Sequence, residues 1–242
     1  MCNFFSAVLT KDEAFWGESD SHEAIIRGEN QKHQPLHADG SKGPNVLRTE
    51  LLPSVKTKKL EDFDSYEFVI DQDILPAWYD KADAAARTLA ALKERFPKRK
   101  VDKVGTLLIP KKQKIVGKWL TSVGGYLDVS ADAQLPALTS VGGYLDVRAD
   151  AQLPALTSVG GYLYVSADAQ LPALTSVGGS LDVSADAQLP ALTSVGGSLY
   201  VSADAQLPAL TSVGGSLDVR AGGKLEAPQL VQVNGKKWPS TK

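Results

Sequence analysis

The sequence predicts two classes of fold in one chain: an α+β amino-terminal domain followed by an all-β solenoid of 18-residue repeats. Three observations carry that expectation. The phrase L-T-S-V-G-G-x-L-x-V-x-A recurs in six turns whose strands centre on Leu127, Leu145, Leu163, Leu181, Leu199 and Leu217, four of them reading in full L-P-A-L-T-S-V-G-G-x-L-x-V-x-A-D-A-Q, and a fixed period of this kind is the signature of a solenoid. Within each turn Leu145 and Val147 alternate with Tyr144, Asp146 and Arg148, the period of two of a strand with one face buried. The first hundred residues lack the repeat and mix strand-like with helix-like segments.

Residues 1–100 are expected to form the small α+β domain. "NFFSAVLT", "NVLRTELL" and "SYEFVI" have the aromatic, branched and partly alternating character of strands. A first helix is expected near Asp20, which forms a capping box with Glu23. A second runs from about Lys81 to Phe96 and places Ala85, Leu89, Leu92 and Phe96 on one face. Residues 28–45 are a polar, glycine-rich loop, of a kind that is either functional or disordered.

Residues 101–242 are expected to form the solenoid: a degenerate cap at 101–118, six regular repeats at 119–222 and a carboxy-terminal cap at 223–242. The period is too short for a helix, a strand and two connections, so each turn should hold two short strands. Leu135, Leu138 and Val141 supply the inner side opposite Leu145 and Val147, with Pro136 entering it and Gly142-Gly143 leaving it. Open ends would expose unpaired edges and bare core. Trp119 is large enough to cover the first layer, and Leu230, Val233 and Asn234-Gly235 continue the pattern with a two-residue slip before Trp238 and lysines.

The pattern L-x-V-x-x-D-x-x-L-P-x-L-x-x-V resembles the leucine-rich repeat, and "LTSVGGYLDV" looks like the short variants in receptor L domains and in bacterial and phage repeat proteins. The resemblance spans residues 104–235 and departs in its shorter period and in Asp132 where that family usually has Asn, which favours a compact β-solenoid over a horseshoe. "MCNFFSAVLT", "SDSHEAII" and "DQDILPAWYD" resemble the amino-terminal domain of uncharacterised phage proteins that carry assorted repeats behind it. That likeness supplies no known chemistry and implies host interaction, with inhibition of a defence system as one form of it.

The net charge of −2 conceals an asymmetry. Residues 1–92 carry 10 basic and 16 acidic side chains, residues 93–118 carry 10 and 2, and residues 119–242 carry 6 and 10. The basic belt with Lys111, Lys112, Lys114 and Lys118 is a nucleic-acid or nucleotide signal, weakened because it falls in a linker and cap. No apolar run is long enough to span a bilayer and no signal peptide opens the sequence, so a cytoplasmic protein with no membrane partner is expected. The single cysteine, Cys2, agrees with a reducing compartment.

Candidate chemistry in the head is sparse. Cys2, exposed by loss of Met1, would be a nucleophile with its own α-amine as base, or it is a small residue starting a strand. His22 and Glu23 would serve as base and acid, or Glu23 caps its helix and His22 is a solvated first-turn residue. Asp71 and Asp73 in "IDQDILPAW" would share one face of a strand as a divalent-cation site, or they belong to a turn before Pro76. The repeat lacks the third glycine and the aspartate of the calcium-binding nonapeptide, so Asp132, Asp150, Asp168, Asp186 and Asp204 read as a structural ladder, with calcium binding as the lesser alternative, and no cofactor is expected. Thr139 and Ser140 give only one outward hydroxyl column, a poor ice-binding face.

Across the six turns the substitutions fall in three columns, Tyr or Ser, Asp or Tyr, and Ser or Arg, that share the outward face of one strand. The expected binding residues are therefore Tyr126, Asp128, Tyr144, Asp146, Arg148, Tyr162, Tyr164, Asp182, Tyr200, Asp218 and Arg220, suited to a protein partner because Tyr and Arg are common at hot spots. The alternative is a face that tolerates anything. The expected function is a non-enzymatic protein-binding module whose head adds a contact or holds a homo-oligomer. An enzyme using Cys2 or His22 and Glu23, targeted by the repeats, is the second class, and a nucleic-acid binder the third.

Overall fold

A computed structural model of the chain describes residues 4–17, 21–27, 46–54, 56–57, 59–98, 101–109, 116–129, 133–148, 151–165, 171–183, 187–202, 204–220 and 224–238. The chain divides into two compact units, Met1–Leu107 and Leu108–Lys242.

The head is a four-stranded antiparallel sheet of β1 (Phe5–Leu9), β2 (Ala14–Trp16), β3 (Leu47–Leu52) and β4 (Glu67–Ile70), in the order β2-β1-β3-β4. Two helices accompany it, α1 (His22–Arg27) and α2 (Lys81–Arg95). All five residues of β1 are buried, as expected of a central strand covered on both faces. On one face Val8 packs with Ile25 of α1 and with Val46. On the other, Leu9 and Leu47 pack with Ala84 of α2.

The three predicted strands and the second helix are present. Asp20 of the expected capping box lies outside the described residues, and the first turn of α1 is held instead by Ser21, whose Oγ accepts from the Ala24 N–H at 3.3 Å. Asp80 caps α2 by accepting from the Asp83 N–H at 2.8 Å. Leu92 and Phe96 of the expected α2 face are buried, whereas Ala85 and Leu89 are only half-buried and Ala84, Thr88 and Ala91 complete the inner side. Thr88 can enter because its hydroxyl donates to the Ala84 carbonyl at 2.7 Å and meets Thr49 Oγ1 at 2.9 Å, which removes the cost of burying a bare hydroxyl.

From Lys103 to Val233 the chain is an all-β solenoid of parallel strands. The Leu-x-Val strands, from Leu107–Ile109 to Leu217–Val219, make a seven-stranded sheet, and the Ser-Val strands form most of a nine-stranded one. Identical residues stack in register: Leu145 pairs with Leu127 and Leu163, Val159 with Val141 and Val177. Leu135, Leu138, Val141, Leu145 and Val147 are buried, as are their equivalents through Leu210 and Val213.

The two expected strands per turn are joined by a third ladder. Ala187–Gln188, Ala205–Gln206 and Leu225–Glu226 form a parallel three-stranded sheet, and Gln134 bridges Val116 and Gln152 at the same position in earlier turns. Where these residues are described, the coil is bounded on three sides. The two-residue slip is visible in the last registers, where Val213 pairs with Val233 and Ala205 with Leu225. Trp119 is 43% exposed while Leu120 beside it is fully buried, and Trp238 is 39% exposed. The nine-stranded sheet ends in a hairpin: Asn234 and Gly235, at φ 50° and 69°, turn the chain so that Lys236–Lys237 pairs antiparallel with Gln232–Val233. Asn-Gly suits such a turn, and lysines on an edge strand deter further pairing.

Candidate functional site

The outward face of the Leu-x-Val sheet carries the columns in which the repeats differ. Leu and Val of each strand point into the core, so the residue between them and those flanking the strand are placed outward, where most are half-buried. Stacking one coil on the next brings equivalent side chains to about 4.8 Å. Tyr126, Tyr144 and Tyr162 use that spacing as a continuous ring stack, with centroids 5.0 and 5.2 Å apart. Where the column changes to Ser the contact changes too: the Ser198 and Ser216 N–H groups donate to Ser180 Oγ and Ser198 Oγ of the preceding coils. The stack makes all three phenols harder to ionise. Burial and then the Asp146 carboxylate push Tyr144 up to about 12, burial and Asp128 raise Tyr126, and burial and Asp182, which accepts from the Tyr162 hydroxyl at 3.2 Å, raise Tyr162.

The middle column places Asp128 directly beside Asp146. Two neighbouring carboxylates repel, and this is where Arg148 stands. Its Nε donates to both Asp146 oxygens at 3.0 and 2.9 Å, its Nη2 lies 2.6 Å from Oδ2, and the guanidinium carbon sits 5.7 Å from the centre of the Tyr164 ring. Asp146 is only 1% exposed, and the Arg148 guanidinium is held well above its ordinary range by that hydrogen bond and charge. Arg148→Ser is therefore expected to lower stability by about 1–2 kcal/mol, since it leaves a buried carboxylate beside Asp128, discounted because Arg148 is half-exposed. Asp146→Tyr with Arg148→Ser recreates the Leu-Tyr-Val-Ser of the next coil and should recover most of the loss. Urea unfolding of both checks this; an equal loss in the two would sink the ion-pair argument.

The positions that never vary have local reasons. Thr139 Oγ1 donates to the Thr121 carbonyl at 3.0 Å, and Thr157, Thr175, Thr193 and Thr211 repeat the bond. A Cβ on Gly160 would fall onto the Gly142 carbonyl, and one on Gly161 would lie 2.7 Å from the Gly143 oxygen. A groove of about 710 Å³ runs along the Ser-Val-Gly segments from Ser140 to Gly214 and on to Gln232 and Gly235, with no charged group in its lining.

The remaining predicted residues separate. Cys2, Lys111, Lys112, Lys114 and four aspartates of the proposed ladder, Asp132, Asp150, Asp168 and Asp186, lie outside the described residues, as does the 28–45 loop. Lys118 stands 5.1 Å from the centre of the Trp119 ring. Tyr200 is half-buried, and Asp218 and Arg220 are exposed. His22 and Glu23 are not brought together. Glu23 pairs with Arg27 at 2.9 Å on the surface, whereas His22 is 4% exposed and reaches Asp71 Oδ2 at 3.1 Å and the Thr49 carbonyl at 3.0 Å. Asp73 is exposed. The grouping that forms is His22, Glu50 and Asp71. Sequence reasoning placed His22 and Asp71 in different pairs and passed over Glu50. Among the described residues no helix is long and apolar enough to cross a membrane.

Compared with known families, with curated proteins and with solved structures, the chain matches none.

Proposed function

We propose that the chain is a non-enzymatic protein-binding module whose variable solenoid face docks on a folded protein partner. The observation that carries this reading is the ready-made patch of three stacked tyrosine rings beside the Arg148–Asp146 clamp. Side chains already ordered by their neighbours lose little entropy when a partner covers them, and Tyr with Arg is the composition of binding hot spots. The invariant columns are held by hydrogen bonds and close backbone packing, so this face is where the sequence is free to follow a partner. The likeness of the head segments to phage proteins, and of the repeats to short leucine-rich repeats, makes a host protein the first partner class to screen.

The test begins with capture from host lysate by the full chain and identification of the partner. Tyr162→Ser with Tyr164→Ser should keep the fold and cost about 1–2 kcal/mol, because both side chains point away from the core but give up the stack on Tyr144 and the contact with Arg148. It should weaken binding by about 2 kcal/mol or more. Thr139→Ala with Thr157→Ala, on the other sheet, should leave affinity unchanged. Equal affinity for both variants means that the face is a tolerant surface and that the reading is wrong.

A further inference from the structure

The geometry points to a divalent-cation site in the head, built from His22 at the start of α1, Glu50 on β3 and Asp71 just after β4. One nitrogen and two carboxylate oxygens from these residues lie within 4.8 Å of one another. The imidazole settles what the site wants. The Thr49 carbonyl can only accept, so the Nε2 that lies 3.0 Å from it carries the proton. With that tautomer the Nδ1 lone pair faces Asp71 Oδ2 at 3.1 Å, and a divalent ion in the gap would take this lone pair together with oxygens of both carboxylates. A metal-bound imidazole usually has its other N–H fixed by a carbonyl or carboxylate, the arrangement that Thr49 provides. The Nδ1 to Oδ2 separation is close to the ~3.3 Å edge of a tetrahedron of ligands around zinc.

An independent observation comes from β1. Ser6 is directly opposite Glu50 in the antiparallel register and so lies on the same face. It is fully buried, and its Oγ has no hydrogen-bond partner among the described residues. A buried hydroxyl without a partner is costly, and the shell of a bound ion supplies one. Asp71 is 46% exposed, which gives the ion a way in and leaves a coordination position open to water. One imidazole with two carboxylates is a donor set for zinc or manganese rather than for a soft metal.

The test uses the full chain stripped with chelator, carrying Cys2→Ser, His33→Ala and His37→Ala, so that competing ligands are removed and His22 is the one remaining histidine of three. Calorimetric titration with Zn2+ should show a single saturable site, and Zn2+ should raise the unfolding temperature. Asp71→Asn in that background should abolish the saturable heat. With Mn2+ bound, electron spin echo spectra should show a directly coordinated imidazole nitrogen, a readout that needs no further variant. No saturable binding, binding that survives Asp71→Asn, or manganese without a bound nitrogen would each overturn the site.

Discussion

Gly160→Ala is expected to lower the stability of the solenoid by about 3 kcal/mol, more than the loss of any outward side chain. Its new methyl would land on the Gly142 carbonyl of the coil below, with that residue's carbonyl carbon at 3.0 Å. Backbone cannot swing aside as a flexible side chain can. Relief would mean breaking the bonds that hold this turn, the Gly160 N–H to Val141 O at 2.8 Å and the Gly161 N–H to Gly143 O at 2.9 Å. Gly235 is the control. It has a positive φ of 69° but nothing within 4 Å of its missing Cβ, so Gly235→Ala should cost only the about 1–2 kcal/mol of a left-handed alanine. Denaturant midpoints of the two variants check the contrast, and equal shifts would mean that close coil packing is not what reserves the paired glycines.

Leu163→Ala should cost about 3 kcal/mol, within the usual span for a buried leucine, while Leu217→Ala should cost less than about 1 kcal/mol. Leu163 is fully buried and stacked between Leu145 and Leu181. Leu217 has Leu199 on one side only, at the end of the seven-stranded sheet, and Val219 two residues on is 40% exposed. In a repeat array stability is close to a sum of neighbour terms, so a cavity in the middle damages two interfaces and one at the end damages one. Thermal unfolding of the two variants gives the comparison; similar losses would show that the last strand is packed as tightly as the middle ones.

The parts of the fold that were legible in the sequence are those where a periodic pattern coincides with burial. Leu145 and Val147 alternate with polar neighbours, and that alternation is what the seven-stranded sheet buries. The Ala-Gln ladder carried no such mark, because a small residue beside an exposed glutamine has neither branching nor a clear period. Half of the α2 face was legible: Leu92 and Phe96 are buried as their spacing predicts, whereas Ala85 and Leu89 give way to Ala84 and Ala91, and Thr88 is admitted through its hydrogen bonds. The site in the head was hidden more deeply. His22 and Asp71 are 49 positions apart, and they meet only because Thr49 is registered with Ile70, which sets Asp71 beside the start of α1. Adjacency in sequence suggested Glu23 and Asp73 as partners, but the helix turns the first outward to Arg27, and the second ends exposed.

The uniform register between coils has a consequence for inheritance. Every regular coil offers the next the same buried leucines, the same glycine turn and the same threonine bond, and the distinctive ends lie outside them. A gene segment encoding one whole repeat can therefore be gained or lost by unequal recombination between near-identical copies without creating a foreign interface in the core. Length becomes a trait that varies in unit steps, and only the outward tyrosine, aspartate and arginine columns keep a record of which copy came from where.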